Sequence, residues 1–340
     1  RVNVGEGYAI SINQVKNFLG HLRSGRVVDH ATLGATVSTD AQGRVIVGDI
    51  LDNSDAYRRG LRFGDEIVSF GGRPIRTVNA FQNVLGIFPQ GWRIPLSYRR
   101  DGEKHDVLVR LQRLHNPTAL RALLKQMPGE QPPGHEKPAP EEAPIDETNE
   151  ESDGPRPADL VKKRTGYINY YFNELERSRV WESMSAHGDF TTVAGPWHLE
   201  GTVISGDRFS LDIDEIAARL TLPMNEWQVT LAEDVASSLD PPSSGGMLLA
   251  LALWRRILVN GTEDFGQMYY LGTSPLPGHD GMVDVLVGFC AGVECHFAID
   301  PVEGDVLAVE MFPSEDVDPC RLRLSDYRTV GQQQLPHLIE

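Results

Sequence analysis

"VGDILDNSDAYRRGLRFGDEIVSFGGRPI", residues 47–75, changes backbone habit three times. A strand, "RVIVGDIL" (44–51), runs into it. "SDAYRRG" (54–60) reads as a short helix stopped by Gly60, since glycine takes the left-handed conformation that ends a helix. "GDEIVSFGGRPI" (64–75) reads as a strand, a Gly-Gly turn and a short return strand. Downstream, Val78, Phe81, Leu85 and Phe88 recur at helical spacing over 77–88. Ile94, Leu96 and Tyr98 then alternate, Asp101-Gly102 suits a tight hairpin turn, and Val107, Val109 and Leu111 alternate again. Residues 27–111 are therefore expected to form a small α/β module.

Upstream, "GEGYAISINQVKNFL" (5–19) predicts a strand over Tyr8–Ile12 entering a helix whose apolar face is Val15, Phe18, Leu19 and Leu22. Downstream, 112–127 predicts a short helix around "RALLKQM". Residues 130–153 hold nine acids and one lysine, half of the net charge of −16, with proline throughout. Such a stretch has no apolar periodicity with which to build a core, so it predicts an extended, disordered linker. From about 160 the composition is globular again. "YINYYFNELERSRVWESM" predicts a helix, and "WHLEGTVI", "RFSLDI", "WQVTL", "FGQMYYLGT", "MVDVLVGFC", "VECHFAID", "DVLAVEMF" and "CRLRLSDY" predict strands, interrupted by a helix over about 244–260. The turns between successive strands are short, which favours an antiparallel meander over a βαβ sheet.

The chain of 340 residues is long enough for two or three domains, and its 40% hydrophobic content is ordinary for a globular protein. The acidic balance and the lack of a basic stripe argue against nucleic acid as a partner. No apolar run is long enough for a membrane-spanning helix. The three cysteines, Cys290, Cys295 and Cys320, do not make a disulfide framework. In one continuous strand Cys290 and Cys295 would face opposite sides; Cys295 and Cys320 could pair across neighbouring strands, though buried free thiols are the reading favoured. Cys290-x4-Cys295-His296 lacks a fourth ligand at zinc spacing, so no metal or cofactor is expected.

The run at 47–75, together with "GYAISINQVK" (7–16) and "TLGATV" (32–37), resembles the HtrA/DegP serine proteases over residues 4–111. The resemblance implies a PDZ domain, a small β-sandwich with two helices, at 27–113. It makes residues 1–26 the last strand and exit helix of a trypsin-like domain, with a protease barrel expected ahead of Arg1. It implies a periplasmic or envelope location, and homo-oligomers made through that protease domain. By the same resemblance Thr32, Leu33, Gly34 and Ala35 form the loop whose backbone N–H groups take up a peptide's terminal carboxylate, with Leu33, Phe81 and Leu85 walling the groove. Phe81 and Leu85 fit equally well into one buried helical stripe. Ala35 is smaller than the aliphatic residue common in the family at that place.

The family's Gly-Asn-Ser-Gly-Gly nucleophile loop does not occur in this sequence. Ser244 in "PPSSGGM" leads into an apolar helix and reads as its cap, so no catalytic residue is assigned and the chain alone is expected to be inactive. Residues 159–340 resemble the LolA/LolB-like lipoprotein carriers, on "GFCAGVECHFAIDPVEGDVLAVEM" (288–311) and "LSDYRTVGQQQLPHLIE" (324–340). That implies a curved antiparallel half-barrel over helices, with Tyr327, Leu335 and Pro336 as packing residues, and the chain stopping within a strand. The expected whole is an α+β, multidomain protein: a PDZ domain, a helix and acidic linker over 114–158, and a β-rich domain. The leading reading is the substrate-recognising part of an HtrA-like endopeptidase, binding C-termini of peptides or unfolded proteins. The alternatives are a carrier with an apolar, lipid-like ligand in the C-terminal domain, or a docking scaffold.

Overall fold

The computed structural model describes residues 10–116, 160–231, 239–290, 292–314 and 318–340. The acidic linker lies outside them, as does most of the helix expected at 112–127. Gln112 and Arg113 are described and form a strand, pairing with Thr32 and Ala31.

The chain from 31 to 113 folds as the alternation of its residues directs. Strands β1 (Ala31–Thr32), β2 (Ala35–Thr39), β3 (Val45–Ile50), β4 (Glu66–Phe70), β5 (Arg73–Pro74), β6 (Arg93–Arg100), β7 (Glu103–Arg110) and β8 (Gln112–Arg113) enclose helices α2 (Asp55–Arg58) and α3 (Val78–Leu85). The main sheet runs β2-β3-β4-β6-β7, all antiparallel, with β5 folded back on β4 and β1 paired to β8. Ser54 and Thr77 start the two helices by accepting the N–H of Tyr57 and Ala80. Asp101 and Gly102 both take positive φ, 50° and 88°, in the tight turn between β6 and β7. Phe70, Ile67, Leu61, Leu96 and Leu111 fill the core.

The second unit is built from two meanders. Strands β9 (Trp197–Thr202), β10 (Arg208–Ile213), β11 (Ala217–Leu222) and β12 (Asn225–Thr230) form one four-stranded sheet. β13 (Gln267–Pro275), β14 (Met282–Cys290), β15 (Val293–Ile299), β16 (Val306–Phe312), β17 (Cys320–Val330) and β18 (Gln333–Ile339) form a six-stranded sheet in sequence order. β11 was not among the expected strands. Its two alanines are weak strand formers, and only pairing with β10 and β12 makes it one. Helix α5 (Met247–Asn260) packs on β11 and β12 of one sheet and on β16 and β17 of the other. Ten of its residues are buried, nine apolar ones and Arg255, as a largely apolar helix between two layers requires.

α1 (Ile12–Arg23) corrects two expectations. Ile12 opens the helix instead of closing a strand, with Ser11 accepting the N–H of Gln14, while Tyr8 and Ala9 lie outside the described residues. The expected apolar face is turned outward: Val15, Leu19 and Leu22 are 40–56% exposed. Gly20 and His21 are buried instead, because a glycine lets the helix backbone close on β13. A Cβ at Gly20 would lie 2.3 Å from Thr273 Oγ1. Burial, with the charge of Arg26, outweighs backbone hydrogen bonds with Leu271 and Thr273 and drives the His21 pKa down to about 4. Helix α4 (Tyr170–Ser185) joins the assembly through Arg23–Glu176 (2.7 Å), Glu176–Arg179 (2.8 Å) and Arg179–Asp284 (2.9 Å), and Tyr270 donates its hydroxyl to Asp284 at 2.7 Å.

The two units touch. The indole N–H of Trp92 donates to the carbonyl of Thr273 at 2.8 Å, and Arg59 meets Asp318 at 2.6 Å. Glu310 on β16 receives Arg110 (2.5 Å) and Arg93 (3.4 Å) from the first unit and Arg321 (2.5 Å) from its own. Burial by itself would raise the Glu310 pKa; the arginines overcome that and hold the carboxyl far below the usual range.

The three cysteines are free thiols. Cys290 ends β14 and Cys295 lies on β15, opposite Gly288, so the two do not share one strand. Cys295 and Cys320 are both partners of Met311, on either side of β16. Two strand spacings put their Cα atoms about 9–10 Å apart, beyond the roughly 7 Å that a disulfide can span.

Candidate peptide-binding site

β2 is an edge strand: β3 pairs with one side of it and no strand among the described residues pairs with the other. Ala35 stands opposite Ile50, and Leu51 N–H donates to the carbonyl of Gly34 at 2.8 Å. In that register Ala35 and Ile50 are a non-hydrogen-bonded pair, so the N–H and C=O of Ala35 face the open edge. α3 packs beside β2 and forms the other bank. The result is a channel with backbone donors and acceptors along one wall and a helix along the other.

The loop that closes one end of this channel is Thr32-Leu33-Gly34-Ala35. Thr32 pairs with Gln112, and its hydroxyl accepts the N–H of Gly34 at 3.1 Å. Leu33 points into the core and is 1% exposed. Gly34 has φ +73°, and a Cβ there would lie 2.5 Å from Ser54 Cβ and 2.9 Å from Gln112 Oε1. Glycine is thus required twice, by conformation and by space. Ala35 is half-buried. Phe81 is 3% exposed with its ring tilted against Phe70, centroids 5.3 Å apart, whereas Leu85 is half-buried against the same core. Ser54 and Gln112 are contributors that local sequence did not reveal. They hold the loop from α2 and β8, and nothing near Gly34 in the sequence points to them.

Asp55, next to Ser54, accepts the N–H of Arg110 at 2.6 Å and lies 3.6 and 3.3 Å from Arg58 and Arg59. Its charge is matched within the fold and does not oppose an incoming carboxylate.

Other sequence candidates lie elsewhere. Ser244 accepts the N–H groups of Gly246 and Met247 at 3.3 and 3.1 Å, capping α5 from two residues before Gly246, which precedes the helix. His296 neighbours Cys295 on β15 but faces the opposite side, against Glu294 and the Phe312 ring. His198 contacts Asp212 at 2.7 Å and Glu200 at 3.3 Å on the exposed four-stranded sheet, so carboxylates face both ring nitrogens. A cleft of about 500 Å³ opens between α4, residues 188–191 and the last turn of α5, walled by Trp181, Met184, Phe190 and Leu258.

Residues 31–111 match the family model described as a PDZ domain. This part of the chain is a PDZ domain. Over 121 residues the chain is 33% identical to the periplasmic serine endoprotease DegP of Escherichia coli (strain K12), covering 32% of this chain and 26% of DegP. It is 31% identical over 137 residues to a probable periplasmic serine protease do/HhoA-like of Haemophilus influenzae, covering 36% and 29%. Among solved structures, the serine endoprotease from Yersinia pestis is similar at 22% identity and a TM-score of 0.24, over 30% of this chain and 35% of that one. The PDZ domain is homologous to those of the HtrA/DegP periplasmic serine proteases. The chain spans about a quarter of the length of the DegP relatives it matches.

Proposed function

We propose that this chain is the substrate-recognising and regulatory portion of an HtrA-like serine endopeptidase of the periplasm or cell envelope. Its PDZ domain binds the C-termini of peptides or unfolded proteins as an added strand on β2. The observation that carries this is the unpaired edge of β2 facing α3, ended by the loop of Thr32–Ala35. The loop takes the carboxylate; Leu85 and the small Ala35 shape the space for the terminal side chain, with Leu33 and Phe81 behind them. Residues 1–26 are assigned to the end of the trypsin-like domain, 27–113 to the PDZ domain, 114–158 to a helix and linker, and 159–340 to the β-rich domain. Assembly into homo-oligomers through a protease domain belongs to the same reading.

A titration of free-acid and amidated forms of one peptide library against the full chain tests it. A hydrogen bond to a charged acceptor contributes about 1.5–3 kcal/mol. Amidation is therefore expected to weaken binding by about tenfold or more. Equal affinities would remove the carboxylate-binding role.

A second reading rests on the cleft at Trp181. Cavities of about 300–1,000 Å³ hold small ligands, and this one, at about 500 Å³, lies in the domain that resembles the lipoprotein carriers. Because α5 fills the space between the sheets, an apolar ligand would lie in this cleft. A fluorescent fatty acid that fails to bind, or binds equally to Trp181→Ala, would remove this reading.

A further inference from the structure

The Gly34 amide is already in use. In the ligand-free fold it donates to Thr32 Oγ1 at 3.1 Å, within the loop assigned to the ligand's carboxylate. An amide has one hydrogen and one strong direction of donation. An acceptor seated on that line stands where a carboxylate oxygen would make the same bond. We infer that the Thr32 hydroxyl is an internal competitor of the peptide carboxylate, and that Thr32 sets how tightly the PDZ domain holds any free C-terminus. The inference rests on the carboxylate-loop reading above and deepens it.

Several features keep the threonine in this position. Thr32 is pinned in β1 by its pairing with Gln112, and the Gln112 side chain in turn abuts Gly34. Rotating Gly34 away from Thr32 would break the bond that its carbonyl accepts from Leu51 N–H at 2.8 Å. Thr32 is half-buried, so its side chain can turn toward water once a carboxylate arrives. The exchange is then one hydrogen bond for another at the same amide: the neutral hydroxyl leaves and the charged carboxylate takes its place. The carboxylate is the stronger acceptor, so binding proceeds, but the bond lost to Thr32 is subtracted from every ligand equally. The effect belongs to the carboxylate and carries no preference for the side chains of the peptide.

The test is Thr32→Val, which keeps the branched shape suited to β1 and removes the acceptor, measured beside Thr32→Ser, which restores it. Each is titrated as the full chain with matched free-acid and amidated peptides. A hydrogen bond between neutral groups contributes a net of about 0.5–1.5 kcal/mol, which converts to roughly a twofold to twelvefold change in affinity. Thr32→Val is expected to tighten free-acid peptides by that factor and to leave amidated peptides unchanged. Thr32→Ser is expected to match the parent chain. In the ligand-free protein, the Gly34 amide proton is expected to exchange with solvent faster in Thr32→Val than in the parent or in Thr32→Ser. Folding of each variant is checked by its thermal transition, and Thr32→Ala provides a second acceptor-free variant should the valine fail to fold.

The outcomes separate. Weaker acid binding in the folded Thr32→Val variant would mean that the hydroxyl donates to the ligand, and would overturn the inference. Unchanged acid binding, with acid still preferred over amide, would overturn it while leaving the carboxylate loop in place. Equal acid and amide affinity in the parent chain would remove the loop reading, and the competition with it.

Discussion

The PDZ domain and the β-rich domain handle open sheet surface in opposite ways. Among the described residues the PDZ domain leaves the edge of β2 unpaired and holds α3 beside it, so its backbone hydrogen-bonding groups are free for a partner strand. The β-rich domain sets a largely apolar helix between its sheets, and its Leu248, Ala250 and Ile257 are wholly buried. An unpaired edge is a liability unless a partner is meant to complete it, whereas a filled interior gives stability. On the proposed reading, recognition belongs to the first domain and support to the second. Glu310 lies between them, its carboxylate shared by arginines of both.

Trp254→Ala should break the contrast from the supporting side. Trp254 is 2% exposed within α5, and removing a buried aromatic of this kind costs about 3–5 kcal/mol. Calorimetry should show the unfolding transition falling steeply, while peptide affinity of the still-folded protein stays within about twofold, well under the 1.4 kcal/mol of a tenfold change. Affinity lost in parallel would mean that the support reaches into the groove itself.

Glu310→Gln tests whether the two domains unfold as one body. It leaves Arg93, Arg110 and Arg321 facing one another without their carboxylate, and loss of one partner from a buried charge cluster costs on the order of 2–5 kcal/mol. A single cooperative transition in the parent should split into two in the variant. An unsplit transition would show that Trp92 and Arg59 carry the contact without it.

His21 sharpens the contrast through pH. Its folded pKa, lowered to about 4, lies below the ordinary 6.5, so the folded state binds fewer protons between those values. Its contribution is fully present above pH 6.5 and is lost as pH falls toward 4, a change of about 3 kcal/mol. Denaturant titrations from pH 7 to pH 4 should show that slope, and His21→Phe should flatten it. Peptide binding should not follow it. Glu310 has the same sign in a lower window: with its folded pKa held far below the ordinary value of 4.5, its contribution is lost mainly below that value, so the arginine cluster should survive the same descent.

Leu85→Ala should have the smallest effect, and on specificity alone. The half-buried side chain shapes a pocket and leaves the carboxylate loop untouched, so the preferred terminal residue should change while affinity for the best ligand moves by about 1 kcal/mol or less, the value of roughly one buried methylene. A uniform loss across the library would place Leu85 in the core with Phe81.

Much of the PDZ domain could be read locally, because its strands alternate and its turns carry Gly71-Gly72 and Asp101-Gly102 where positive φ is needed. The helix caps at Ser54 and Thr77 act within three residues, although the sequence reading named only the helices they start. The loop at Thr32–Ala35 came from family resemblance alone: four small or aliphatic residues have no distinctive chemistry, and their use depends on backbone direction. α1 was misread, because Val15, Leu19 and Leu22 make a face that periodicity can only interpret as buried. The contact with β13 was decided by a glycine fitting against Thr273, and a missing side chain leaves no hydrophobic signal.

Elements whose causes lie within a few residues were determined by the sequence itself: the strands of the PDZ domain, its turns and caps, the α5 helix and the acidic character of the linker. Alternation, cap hydrogen bonds and composition act over short distances along the chain. The tertiary structure alone decided which edge stays open, which face of α1 is buried, that β16 separates Cys295 from Cys320, that Ser54 and Gln112 brace Gly34, and that one carboxylate binds the two domains. Each of these depends on which distant residues come together in space, and burial, steric exclusion and charge pairing take effect only once they do.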